Sequence, residues 1–419
     1  AGLLIAGVTA YGFQILAAKR LSDPNYAALN VLWAIVFIFS PGLFQPLEQE
    51  IARALAARRA RGVGGAPLVK RAALLGGFLC AGVCLVATGA YVPIVDHMFN
   101  GQASLFFALL VALICYYVAF TTRGTLSGNV RFRAYGVLQG AEGTVRIVFC
   151  IALFVVGWSA VGLYGLALAL PPIIAVGIAL RGQRNLLTPG PEAPYSELSS
   201  ALAWLLIASV LAQLLSYASV LGVQLLATAQ QKDIVAKFIT GVFIARIPLL
   251  LFQAVQAALL PKLSRQASAG EYRDFRSGMN RLLVIVVGMC VAGTVAATLV
   301  GAWAGKLLFP SKWDLTSLDM FLLTAAATGF ILALTLAQGL IALKAYAQTA
   351  FSWIAAVIAF VVVVALGHDL FLRNELGFVA GSLVAAVLMA VQLFVRMNRA
   401  ANATVDDLVE VVEHEPLEI

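Results

Sequence analysis

The chain has 419 residues, 62% of them hydrophobic and only 11% charged, with a formal net charge of +8 and a mean hydropathy of +0.94. A soluble domain carries roughly 25% charged residues, so this composition excludes a water-soluble globular protein, and its apolar surface must face lipid. The basic excess lies mostly in short loops between apolar runs, which fits membrane topology better than nucleic-acid binding.

A bilayer core roughly 30 Å thick needs about 20 apolar residues per helix. Lipid offers backbone groups no partner, so apolar runs of that length read as helices. Spans are predicted over residues 2–18, 26–47, 70–95, 104–122, 135–156, 160–180, 200–227, 238–260, 282–308, 318–343, 346–366 and 377–396. The fold class is therefore an all-α polytopic membrane protein of about twelve transmembrane helices. The first span starts without Met, which is read as part of a cytoplasmic N-terminus lying outside this sequence. No small-residue cleavage site follows it, which argues against a signal peptide. The second span is the least regular, because Pro41-Gly42 and Pro46 interrupt it.

One composition break divides the spans. Residues 181–199 contain TPGPEAPYSE and read as a cytoplasmic linker between an N-terminal lobe, 1–180, and a C-terminal lobe, 200–396. The remaining residues, 397–419, form an acidic tail. In it Val405, Leu408, Val409 and Val412 follow helical spacing behind Thr404, a residue type that caps helices. A short surface helix and a solvated, partly disordered end are both compatible with that pattern.

Charge fixes the expected orientation. Loops after odd-numbered spans hold 7 Lys/Arg, whereas loops after even-numbered spans plus the tail hold 19. The richer side is cytoplasmic by the positive-inside rule. Both termini are then inside, in a bacterial cytoplasmic membrane.

The halves also resemble each other. A shift of 208 residues places Phe44-Gln45 on Phe252-Gln253, Glu48 on Gln256, Leu55 on Leu263 and Gly62 on Gly270. Each stretch ends an even-numbered span, so the repeat is parallel and its axis would run along the membrane normal, with a cavity between lobes.

No catalytic constellation is present. A phosphate-binding glycine loop, GxSxG and HExxH are all missing from the sequence. The first external loop offers only Asp23. The five cysteines lie in apolar segments and read as packing residues; Cys80 and Cys84 have helical spacing but no His or acid nearby to complete a metal site. His97, His368 and His414 have no metal-ligand spacing. Neither an enzyme nor a cofactor is expected.

Charge inside the membrane is the informative signal, since it costs roughly 2.5–3.5 kcal/mol or more at mid-bilayer. The second span ends FQPLEQEIAR, where Gln45, Glu48, Gln49 and Arg53 fall at helical spacing and Glu50 and Arg53 can pair. This is either a cavity wall or an ordinary helix end entering water. Glu142 and Arg146 stand four apart in the fifth span; they either neutralise each other or place Arg146 on the cavity with Glu142 as a proton-carrying partner. Arg246, in GVFIARIPLLLFQ, has no acid within a turn. It is read as a phosphate contact through paired hydrogen bonds, against a structural pair with an acid elsewhere, such as Glu48. Arg20, Arg123 and Lys19 lie at span ends and either line a mouth or snorkel to headgroups.

Two stretches carry a family resemblance. YGFQILAAKRLSDPNYAALNVLWAIVF with PGLFQPLEQEIARALAARRARG, and FIARIPLLLFQAVQAALLPKLSRQ, resemble polysaccharide flippases of the multidrug/oligosaccharidyl-lipid/polysaccharide exporter superfamily, particularly actinobacterial members. The resemblance implies two six-helix lobes in a V around a cationic cavity that opens alternately to either side. It implies a polyprenyl-(di)phosphate-linked saccharide or related cell-envelope lipid intermediate as substrate. Envelope glycosyltransferases or a polymerase are the implied partners of a monomer. On this resemblance Arg246 matches the cavity arginine of the eighth span, and Gln45, Glu48 and Arg53 match the polar second span. Arg146, Arg20, Arg123 and Gln253 complete the candidate substrate-binding set, with Glu48 and Glu142 as coupling candidates. The drug-exporting branch commonly carries an acid in the first span; this chain has none there. An ion-coupled drug exporter and a non-transporting membrane scaffold remain the alternatives.

Overall fold

The structure, a computed structural model, describes residues 2–184, 186–193, 202–249, 252, 272–309 and 313–414. All regular elements among them are helical. The first half comprises α1 (Gly2–Arg20), α2 (Asp23–Phe39), α3 (Gln45–Ala60), α4 (Ala66–Gly89), α5 (Ala103–Gly128), α6 (Phe132–Val156), α7 (Val161–Ala169) and α8 (Pro171–Leu180). The second comprises α9 (Leu202–Leu226), α10 (Lys232–Ala245), α11 (Tyr272–Leu308), α12 (Ser317–Ala342), α13 (Tyr346–Leu366) and α14 (Leu370–His414).

Ten segments among the described residues are long and apolar enough to cross a membrane. Two of these segments each join two helices: α2 runs on through a π-turn, Ser40–Phe44, into α3, and α7 runs into α8 through Pro171-Pro172. α1, whose 19 residues span about 28 Å at 1.5 Å each, stands at the first predicted position, and α10 covers the start of the predicted span 238–260, of which residues 250–251 and 253–260 lie outside the described residues. Boundaries differ where polar residues extend a helix past its apolar run. The second span continues to Ala60, and the last begins at Leu370, so Arg373 lies in its first turn rather than in a loop.

The last helix runs on past the predicted span 377–396. The α14 backbone continues without a break to His414, because no Gly or Pro stands between Ser382 and His414 to stop it.

The helices group by half. In the first half α1 lies along α6, α3 along α5, α5 against α7 and α6 against α8. In the second, α9 lies along α13, α11 along α12, and both α12 and α13 along α14. Shifted by 208 residues, α1, α4, α5 and α6 fall on α9, α11, α12 and α13, and α7–α8 on the first part of α14. The packing pairs repeat as well, so the repeat is structural. Repeat mates α4 and α11 are the least buried spans. Phe78 and Leu85 on α4 and Leu299 and Trp303 on α11 stand exposed, as lipid-facing side chains should.

Glycine permits the tightest contacts, because small residues let backbones approach closely in membranes. A Cβ on Gly143 of α6 would lie 2.7 Å from Ala6 Cα of α1. One on Gly124 of α5 would lie 2.7 Å from the Glu48 carbonyl of α3.

The chain between the halves is pinned to the first. Buried Arg58 donates to the carbonyls of Gly64 (2.8 Å), Pro191 (3.0 Å) and Glu192 (3.1 Å). The Ala66 amide donates to Thr188 O, and Asn129 Nδ2 to Leu186 O.

Candidate functional site

The two halves meet where α2 and the π-turn face α9 and α10. Pro41 explains the π-turn. It has no N–H, and its ring would collide with the carbonyl four residues back, so the turn widens. The second half packs onto this bulge. Ser209 Oγ of α9 donates to Pro41 O at 3.4 Å, and Gly42 lies so close to Val210 that a Cβ would meet its Cα at 3.1 Å. At one end of the seam Gln224 Nε2 donates to Asn100 Oδ1 at 3.2 Å. A single apolar cluster, including Trp33, Phe44, Val220, Phe238 and Val242, joins both halves.

The eighth span breaks at the corresponding place. α10 ends at Ala245, Arg246 takes φ −88°, ψ −2°, and Pro248 follows. Subtracting the repeat offset puts Arg246 at position 38, beside the π-turn. Broken helices at matched positions of two repeats are the arrangement that forms substrate sites in transporters, because irregular backbone in a membrane is tolerated where it lines a cavity or is covered by protein.

Arg246 is half-buried. Its Nη2 donates to the Ser216 carbonyl of α9, and its guanidinium sits 4.1 Å over the Tyr217 ring. No carboxylate pairs with it among the described residues, and it forms no pair with Glu48. Guanidinium has five N–H donors, so most remain available. Nearby, Tyr11 of α1 donates to Phe243 O at 3.1 Å, and Trp33 of α2 packs edge-on against Phe243 at 6.3 Å.

Arg146 reaches the same aromatic wall from the other side, 5.3 Å over Trp33. It is buried and donates to Ala6 O at 3.1 Å. Its expected pairing with Glu142 is loose, at 3.9 Å, because Glu142 is held by Arg123. Tyr116 also donates to Glu142, at 3.1 Å. This corrects the reading of Arg123 as a mouth-lining or snorkelling residue. α5 runs to Gly128, so Arg123 stands more than a turn inside the helix and is buried in an ion pair.

The remaining candidates scatter. Gln45, Gln49 and Arg53 form an exposed stripe on α3, and Arg53 pairs with Glu50. Glu48 faces elsewhere and accepts from Tyr135 at 3.0 Å. Arg20 is exposed at the end of α1 and lies against Gly157, the residue capping α6. Gln253 lies outside the described residues. No group of three or more metal-ligating side chains occurs among the described residues. Between α11 and α12, Asp314 accepts from Lys237 of α10 at 2.9 Å, and the ammonium holds its carboxyl below the usual carboxylate range.

Sequence reasoning missed two buried polar residues. Glu375 is fully buried in α14 and Gln14 is fully buried in α1, and among the described residues neither the carboxylate oxygens of the one nor the amide atoms of the other have a hydrogen-bond partner. Glu375 was legible as an acid five residues inside the last helix once that helix is started at Leu370 instead of 377. Gln14 carried no signal beyond its place among apolar neighbours.

No family model matches the chain. It is similar to Uncharacterized protein Rv3630 of Mycobacterium tuberculosis, 25% identical over 395 residues, covering 90% of this chain and 88% of that one. Among solved structures it is similar to an inward-facing multidrug resistance MATE family transporter of the MOP superfamily, with TM-score 0.70 and 16% identity, covering 95% of this chain and 96% of the other. It is similar also to the outward-facing conformation of such a transporter, with TM-score 0.66 and 15% identity, covering 96% and 94%. The chain thus has the fold of the MATE transporters of the MOP superfamily.

Proposed function

We propose that this protein is a flippase that moves a polyprenyl-(di)phosphate-linked saccharide, or a related cell-envelope lipid intermediate, across the membrane by alternating access. Arg246 carries the reading. It is a cation at a helix break on the seam between repeats, with no carboxylate partner among the described residues and free donors for an anion. Retaining such a charge in a membrane calls for a polar partner, and a phosphate group supplies one in the bidentate geometry that guanidinium favours. The fold occurs in inward-facing and outward-facing forms, which supports rocking of the halves about the seam. The lipid tail would stay in the bilayer while the head group crosses between them.

The test is flipping of a fluorescent polyprenyl-diphosphate saccharide in vesicles containing purified protein. Arg246→Ala is expected to fold and to lose flipping. Flipping at the unaltered rate by that variant would remove the proposed role.

One observation favours an ion-coupled exporter of drugs or small amphiphiles instead. Glu48 accepts from Tyr135 but forms no ion pair among the described residues, so it is the better coupling candidate, whereas Glu142 is committed to Arg123. Drug resistance conferred on a sensitive host, and lost in Glu48→Gln, would select that reading.

A further inference from the structure

The turn joining α5 to α6 spans only residues 129–131, so it cannot rise far from the ends of two membrane spans. It lies on the Lys/Arg-rich side of the chain. Its backbone closes α5: the amides of Asn129, Val130 and Arg131 donate to the carbonyls of Thr125, Ser127 and Leu126. Such caps put one residue in the left-handed region, where glycine is usual. Here that residue is Val130, at φ +59°, a costly conformation for a β-branched side chain. The valine side chain is 51% exposed, and neighbouring Phe132 is 63% exposed.

Beside this apolar pair is a cavity of about 420 Å³, lined by Arg59 from the end of α3 together with Asn129, Val130 and Arg131. Both arginines are exposed. Neither has an ion-pair partner among the described residues, and no acid lines the cavity. Both Asn129 Nδ2 bonds go to backbone carbonyls, at Thr125 and Leu186. Two like charges thus border one cavity, flanked by exposed aliphatic and aromatic surface at the edge of the bilayer.

We propose that this cavity binds the phosphodiester head group of an anionic phospholipid. Arg59 and Arg131 take the phosphate oxygens, while Val130 and Phe132 lie against the glycerol and acyl region. Basic pockets at the ends of membrane helices suit anionic head groups. A free phosphate would satisfy the arginines but leave the apolar flank without a purpose.

The full chain, purified in neutral detergent and offered equal mole fractions of phosphatidylglycerol and phosphatidylcholine, is examined by native mass spectrometry for retained lipid. The expected result is at least about a tenfold preference for phosphatidylglycerol, a free-energy difference of about 1.4 kcal/mol. R59Q/R131Q should lose the preference, and R133Q, outside the cavity lining, should keep it. Unchanged preference in R59Q/R131Q overturns the proposal. So does displacement of the lipid by inorganic phosphate at equal concentration, which would mark a free-anion site. If the double variant does not fold, R131Q alone decides, since that residue is exposed.

Discussion

Arg123 of α5 and Glu142 of α6 form an ion pair with both side chains 93% removed from solvent. The pair reassigns three residues. Glu142 no longer serves Arg146 as its main partner, Arg123 no longer belongs to a helix mouth, and Arg146 is left to Ala6 O and the Trp33 face.

Removing one member of a buried pair strands the other charge, at a cost of about 3–5 kcal/mol. Glu142→Gln is therefore expected to lower the unfolding temperature in detergent sharply, and Arg123→Met to do the same. The double variant Arg123→Met/Glu142→Gln should recover much of the loss. Simple addition of the two single effects would show that the pair is not coupled.

At Arg246 the expectation is the opposite. Its side chain is half-buried and bonded to one carbonyl, so Arg246→Ala should alter stability little. Binding of a polyprenyl diphosphate should weaken at least about tenfold, or 1.4 kcal/mol. Arg246→Lys should fall between, since lysine keeps the charge without the planar fork. Calorimetric titration of the parent and the two variants measures the binding changes, and the melting temperature in detergent measures the stability.

Glu375 sits fully buried with no hydrogen bond to either oxygen among the described residues. An ionised carboxylate in such a place is expensive, and a neutral amide of the same shape avoids that cost. Glu375→Gln is expected to match or exceed the parent in thermal stability, whereas Glu375→Lys should unfold at a lower temperature. A strongly destabilised Gln variant would reveal a cation partner for the carboxylate.

Close backbone contact makes Gly143 a sensitive position. Gly143→Ala places a methyl 2.7 Å from Ala6 Cα, so α1 must move away from α6. A loss of about 1–3 kcal/mol is expected from overpacking, read as a lower melting temperature. Gly136, on the same helix with open space around its Cβ position, should tolerate alanine.

Lys237 and Asp314 supply a pH test. The carboxyl is held low by the ammonium, so the bond is intact above the ordinary aspartate value of about 3.9 and is lost as pH falls through the lowered one. The parent and Asp314→Asn should differ by a constant, small amount in melting temperature above that window and converge below it. The difference is small because Asp314 is 70% exposed.

Apolar run length alone specified twelve helical positions, because a bilayer sets the length and lipid forbids unsatisfied backbone. The proline at 41 marked an irregular second span, and the Glu50–Arg53 pair followed from spacing along one helix. Local rules reach that far because each involves neighbours on a single helix. Which helix each polar side chain turns toward was decided only by packing. Arg123 lies nineteen residues from Glu142 in the chain, and Arg246 thirty from Ser216. No periodicity encodes such partners, since rotation and crossing of the helices bring them together. Gln14 and Glu375 became visible as buried polar groups for the same reason: burial of a single side chain is a property of the helices surrounding it, not of its own segment.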